Sequence, residues 1–284
     1  MRRLCVVIVI LYAVVADLRA QQKDEEENGV VFEQRLLLGR LLEAPSINFY
    51  IGMGRVGREG LQRDVREPGV LILQLGSADM QMLRRSPAIV EYERDYVYVS
   101  VGASSLGLRE RAGALSQQWW RFGIGKESGY GYRLTEKSSL LLTSGAGLQW
   151  TYTSLRDSVP EFLAPFHDKV RFGTLRDGTL ILQFSPVMGA GISFERAVVF
   201  PAHLFWKHLG SLLMESTGHW LLGQFVKRVL RARTPSAAPV VNFLLHNAFA
   251  VGWYELLRVR MNWPFASAAP MQTDALRFHL QWIF

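Results

Sequence analysis

The last ten residues place the tightest constraint on how this chain folds. In 275–284, Leu276, Phe278, Leu280, Trp282 and Phe284 fall on alternate positions, with Arg277, His279 and Gln281 between them. Successive side chains of a β-strand point to opposite faces, so this spacing predicts a strand with one apolar and one polar face. It ends on an aromatic residue. The competing reading is an amphipathic edge strand of a soluble protein, but soluble proteins rarely leave such an edge unprotected.

The same alternation recurs upstream. In 46–55, Ile47, Phe49, Ile51 and Met53 alternate with polar or small residues, and 95–104, 139–153 and 187–195 behave likewise. Weaker candidates lie at 69–77, 118–126, 129–134, 169–175 and 179–185, which with the terminal segment makes about ten strands. Glycine normally weakens a strand, yet Gly145, Gly147, Gly189 and Gly191 repeat on the polar face, as a crowded interior or a strongly bent strand would favour. Trp119, Trp120, Tyr130, Tyr132, Trp150 and Tyr152 lie near predicted strand ends. Arg176-Asp177-Gly178 reads as a hairpin turn, and Lys126–Gly129 and Thr135–Ser138 as short polar connections. Longer loops are expected at 56–68 and 105–116.

The terminal segment resembles the last strand of bacterial outer-membrane β-barrel proteins. The resemblance covers ten residues and defines a class, not a family. It implies a mainly β fold, an antiparallel membrane barrel of roughly 8–12 strands, apolar outward and polar or small inward. It also implies that Leu276, Phe278, Leu280, Trp282 and Phe284 form the signal read by the barrel-insertion machinery, and that outer-membrane lipid surrounds the barrel. The aromatic residues near strand ends would then form interfacial girdles.

The other end of the chain points the same way. Arg2 and Arg3, the apolar run Leu4–Val15 and the small residue Ala20 (or Ala16) read as a cleavable export signal over 1–20, too short for a comfortable membrane span. An uncleaved anchor is the competing reading. A polar segment covers 21–45, and the barrel domain 46–284. Cleavage removes Cys5, the one cysteine, so the mature chain would have no thiol, disulfide or multi-cysteine metal site. The net charge of +7 includes +2 from Arg2, Arg3 and Arg19 against Asp17, which leaves +5. The arginines are dispersed through the sequence, so no nucleic-acid partner is expected.

Residues 201–265 break the strand pattern. Leu204, Leu209, Leu212, Leu213, Trp220, Leu221, Phe225 and Val229 recur at helical spacings, and a second apolar stretch runs from Val240 to Leu257. Between them lies the breaker Thr234–Pro239. This predicts a helical insertion before the last strand, placed to plug, cap or flank the barrel.

Chemistry is sparsely marked. His208, Glu215 and His219 share one side of the first predicted helix, with Glu215 and His219 one turn apart. That spacing can chelate a metal, but His208 is remote, and a polar edge on an amphipathic helix explains all three. No metal and no cofactor are expected. Ser144, Ser193, Glu195, His279 and Asn247 are possible catalytic parts without a motif, and no Gly-x-Ser-x-Gly elbow is present. The leading expectation is a non-enzymatic outer-membrane barrel, a pore or a structural or surface protein. A membrane-embedded lipid hydrolase or acyltransferase would need a His near a Ser or carboxylate at the wall. A soluble periplasmic lipid-binding β-protein would turn its apolar faces inward. The pattern leaves the oligomeric state open.

Overall fold

The computed structural model describes residues 44–58, 67–84, 86–107, 116–156, 159–232 and 235–284. The predicted export signal, and the polar segment after it up to residue 43, lie outside the described residues.

Among the described residues, alternating sequence becomes eight long strands. They are β1 (Pro45–Gly57), β2 (Gly69–Leu83), β3 (Ser86–Ala103), β4 (Gln117–Arg133), β5 (Ser139–Leu155), β6 (Lys169–Gln183), β7 (Met188–Val199) and β8 (Met271–Ile283). Each pairs antiparallel with its sequence neighbours, and β8 closes on β1 through pairs such as Phe49↔Leu280 and Ile51↔Phe278. The result is a closed barrel without a free edge. One row of cross-strand partners runs Arg55, Asp274, Arg196, Arg176, Ala146, Lys126, Asp95, Ser77 and returns to β1 at Pro45. The stagger around the barrel is therefore 55 − 45 = 10 residues. For eight strands this corresponds to a tilt of about 40°.

The alternation has a definite sense. Asn48, Gln74, Arg94, Arg121, Thr143, Gln149, Glu195 and Arg277 point inward and are buried. Ile51, Val99 and Phe278 point outward and are 57%, 57% and 56% exposed. Leu140, Leu142, Leu148 and Trp150 also lie on the outer face of β5 and not in its buried row. An apolar face turned inward, as a soluble lipid-binding barrel requires, is not what these strands form.

The strands are fewer and longer than the sequence suggested. The segments 118–126 and 129–134 fuse into β4, and 169–175 and 179–185 into β6. Lys126–Gly129 and Arg176-Asp177-Gly178 are therefore strand interior, not turns. Their charges looked like turn chemistry, but Glu127 and Asp177 point into the barrel, where buried arginines meet them. The tight connections are 84–85, 134–138 and 184–187, all at one end of the barrel. The Thr135–Ser138 link is one of them, closed by the Leu134 N–H bonded to the Ser138 carbonyl at 2.9 Å. The longer connections, from β1 to β2, β3 to β4, β5 to β6 and β7 to β8, leave and re-enter the strands at the other end.

Apolar side chains pack inside the barrel near both ends. At the long-loop end, Leu163 and Phe166 fold in from the 156–168 connection and pack on Val56, Leu155, Val199 and Met271. At the tight-turn end, Ala78, Val90, Tyr92, Leu141 and Ile181 pack together. Each fully buried aliphatic or aromatic side chain contributes about 1.5–3 kcal/mol. Polar-face glycines make room for inner rings: a Cβ at Gly125 would collide with the Tyr96 ring, and one at Gly123 with Tyr98.

The insertion forms two helices, α1 (Phe205–Arg231) and α2 (Ala238–Val259). Arg228 and Arg231 occupy the last turn of α1, where cations favour the helix dipole, and Pro239 suits the first turn of α2. The helices pack against each other and lie on the outside of the wall over β4–β7. Among the described residues, the lumen is filled by the strands' own side chains with Leu163 and Phe166.

Candidate functional site

Two polar constellations are built on opposite faces of the same strands. The first lies in the lumen. Arg94 (β3), Arg121 and Glu127 (β4), Asp177 (β6), Glu195 (β7) and Arg277 (β8) are all inward-facing and at least 94% buried. Arg277 Nη2 meets Asp177 Oδ2 at 2.6 Å, its Nη1 meets Glu195, and its Nε donates to Ser193 Oγ at 2.9 Å. Glu195 also takes Arg121 Nη1 at 2.8 Å. Arg94 pairs with Glu127 at 3.2 Å and also donates to Gln74. Aromatic faces cover the guanidinium groups: Trp119 lies 4.0 Å from Arg121, Tyr96 4.6 Å from Arg94 and Tyr50 4.8 Å from Arg277. Three positive and three negative groups balance, as buried charge must. The network spans strands far apart in sequence and ties opposite sides of the barrel together.

The second constellation lies between the helices and the outer wall. On β4, β5 and β6 the outward apolar rows are interrupted by Lys126, Ala146 and Arg176 in one cross-strand row, and by Ser128, Ser144 and Gly178 in the next. The helices answer these residues. Glu215 of α1 accepts from Arg176 at 2.8 and 2.9 Å. Asn247 of α2 donates to Ser144 Oγ at 2.8 Å and sits so close over Gly178 that a Cβ there would collide with its amide. Glu255 accepts from Arg196 at 3.1 Å. His219 and His246 stack between the helices with their Nδ1 atoms 2.8 Å apart, so one donates and the other accepts. At the tight-turn end the Tyr132 hydroxyl donates to the Ser236 carbonyl at 2.7 Å, in the connection between the helices. A cavity of about 210 Å³ remains in this seam, lined by Lys126, Ser128, Ser144, His219, Asn242 and His246 among others. Near the start of the insertion, burial and then the Arg171 charge push His203 below the usual imidazole range.

The structure disperses the residues singled out from sequence. His208 packs edge-on against Phe172 and Phe200, Glu215 binds Arg176, and His219 meets His246. Ser193, Glu195 and His279 face the lumen, with His279 stacked on Tyr50 at 4.6 Å, whereas Ser144 and Asn247 lie outside the wall. The sheet separates the two groups, so they do not converge on one site. Leu276, Phe278, Leu280 and Phe284 are exposed on the outer face or end of β8, and Trp282 is half-buried. Sequence reasoning missed the six-charge lumen network. Part of its signal was present, because Arg121, Glu195 and Arg277 sit on the polar side of alternating segments.

The chain is thus a closed eight-stranded antiparallel barrel, polar inside and apolar outside, and it resembles the bacterial outer-membrane β-barrel class. The sequence matches no protein-family profile and no curated protein. Among solved structures it is similar to Neisserial surface protein A, with a TM-score of 0.42 and 6% identity over 85% of this chain and 99% of that one. It is also similar to Ail, the attachment invasion locus protein of Yersinia pestis, with a TM-score of 0.33 and 8% identity over 85% of this chain and 98% of that one.

Proposed function

We propose that the protein is an integral outer-membrane β-barrel with a closed lumen and a structural or surface role, not a pore. The observation that carries this reading is the inverted radial order, a charged, hydrogen-bonded interior inside an apolar outer belt. In water such an exterior would be an aggregation liability; in lipid it is the required surface. Trp120, Trp150 and Phe172 stand on the outer face toward the long-loop end, where an interfacial girdle belongs. The apolar layers near both ends of the lumen, with the ion pairs between them, support closure to solutes.

The test has two parts. The protein should require detergent for extraction, migrate faster unheated than boiled on a denaturing gel, and give no solute flux in liposomes. Detergent-free extraction with no mobility shift would overturn the membrane assignment. Steady conductance by the intact protein would overturn the closed lumen.

The terminal strand supports a further part of the reading, recognition by the barrel-insertion machinery. Phe284 is 67% exposed, and its N–H donates to the Pro45 carbonyl at 2.9 Å. Deleting it should cost the folded barrel only about 1 kcal/mol yet sharply reduce membrane assembly in cells. Normal assembly of the deletion variant would remove the signalling role.

A further inference from the structure

We propose that the α1–α2 hairpin lies within the bilayer as a strap along the barrel wall, its polar stripe sealed against the polar gap in the apolar belt and its outer face contacting acyl chains. The inference rests on the membrane-barrel reading and adds a second lipid-facing element to it.

The barrel wall supplies the first argument. On β8 and β1 the outward rows are apolar through Leu276, Phe278 and Leu280 and through Ile47, Phe49, Ile51 and Met53. On β2 and β3 they are apolar through Leu71, Leu73 and Leu75 and through Val97, Val99 and Val101, giving way to Ser77 and Asp79 and to Asp95 and Glu93 toward the tight-turn end. On β5 and β6 apolar residues flank the gap on both sides along the strand, and on β4 on one side. Phe122 and Ile124 precede Lys126, and Leu142 and Leu148 bracket Ser144 and Ala146. Phe172 and Leu180 bracket Arg176 and Gly178. The polar block therefore sits within the belt and not at its rim. Lys126 pairs with Glu93 of β3, but a bare Arg176 at that depth would be costly in lipid.

The hairpin supplies the complement. The side of α1 that carries Ser211, Glu215 and Val226 is buried, and so are Asn242 and Tyr254 of α2. The far side exposes Leu213, Trp220 and Leu221 on α1, and Leu244 and Val251 on α2. These are the positions where a surface helix in water carries charge. Between Lys207 and Lys227 the only Asp, Glu, Lys or Arg is Glu215, and it is the one paired with the wall. At 27 and 22 residues the helices are about 40 and 33 Å long, enough to run beside a hydrocarbon layer of about 30 Å. Contacts from Phe200 at the long-loop end to Ser236 at the tight-turn end show that the hairpin follows the full height of the wall. Among the described residues no helix is apolar enough to cross a membrane by itself. That fits a strap whose polar side never meets lipid: intramembrane polar groups face protein partners and pair there.

Nitroxide labels on the full-length protein in liposomes test the placement. Single-cysteine variants Val99→Cys, Leu221→Cys, Leu244→Cys and Glu161→Cys, each with Cys5→Ser, report the barrel belt, both helices and the long-loop end. Leu221 and Leu244 labels should match Val99, relaxed by oxygen and shielded from a water-soluble nickel chelate, while Glu161 shows the reverse. If both hairpin labels match Glu161 while Val99 stays shielded, the strap falls and the barrel reading stands. If the hairpin labels are shielded from oxygen as well, protein and not lipid covers this face, and the inference also falls. If Val99 itself matches Glu161, the membrane-barrel reading fails and takes the strap with it.

Discussion

Replacing Arg277 with methionine is expected to destabilise the folded barrel by about 3–5 kcal/mol, the cost of stranding buried charge. The Arg277 side chain is 1% exposed and holds two carboxylates from two other strands, Asp177 of β6 and Glu195 of β7. Methionine fills much of the same volume, so the cost is electrostatic and not a cavity. The two carboxylates are not equally stranded. Glu195 keeps Arg121 at 2.8 Å, whereas among the described residues Asp177 pairs with no arginine but Arg277. Adding Asp177→Asn to the Arg277→Met chain should therefore recover more than half of the loss. Urea titrations of tryptophan fluorescence on detergent-folded protein measure both variants. A single-variant loss below about 1 kcal/mol, the size of an exposed ion pair, would mean that the lumen is hydrated and not packed.

That network also explains what was and was not legible in the sequence. The period of two in Leu276–Phe284 and Ile47–Met53 was sufficient to predict strands, and no reading of periodicity could say which face was the interior. The exposed Ile51 and Phe278 answer that through position in a closed sheet, a property of eight strands together. The segments around Glu127 and Asp177 were misread for a related reason. Isolated charges and glycines in an apolar strand usually mark a turn. Here the partners that make them tolerable, Arg94 and Arg277, are 33 and 100 residues away in sequence. The helical insertion was legible from its spacing, with bounds at 201–265 that enclose both helices. Its docking was not, because the gap it covers consists of single residues on three strands, Lys126, Ser144 and Arg176, that become neighbours only in the sheet.

The seam should behave as a separable joint, and Glu215→Leu tests it. Both Arg176 contacts run to Glu215 Oε1, at 2.8 and 2.9 Å, and the Glu215 side chain is 9% exposed. Removing the carboxylate leaves a guanidinium between the wall and α1. The expected loss of docking is about 2–4 kcal/mol, below the full cost of a stranded buried charge because Arg176 keeps 22% of its side-chain exposure. The barrel should still close, since β1–β8 pairing and the lumen network do not involve Glu215, and the heat-dependent mobility shift should survive. What changes is the hairpin, which becomes cleavable by protease in the connection around Ser236. Joint replacement, Glu215→Leu with Arg176→Leu, removes the stranded charge and should restore protection, because leucine on both sides continues the apolar rows of wall and helix. If the double variant were as open as the single one, the pair would contribute more than charge neutralisation, and the Asn247 contacts to Ser144 and Gly178 would be too weak to hold the hairpin without it.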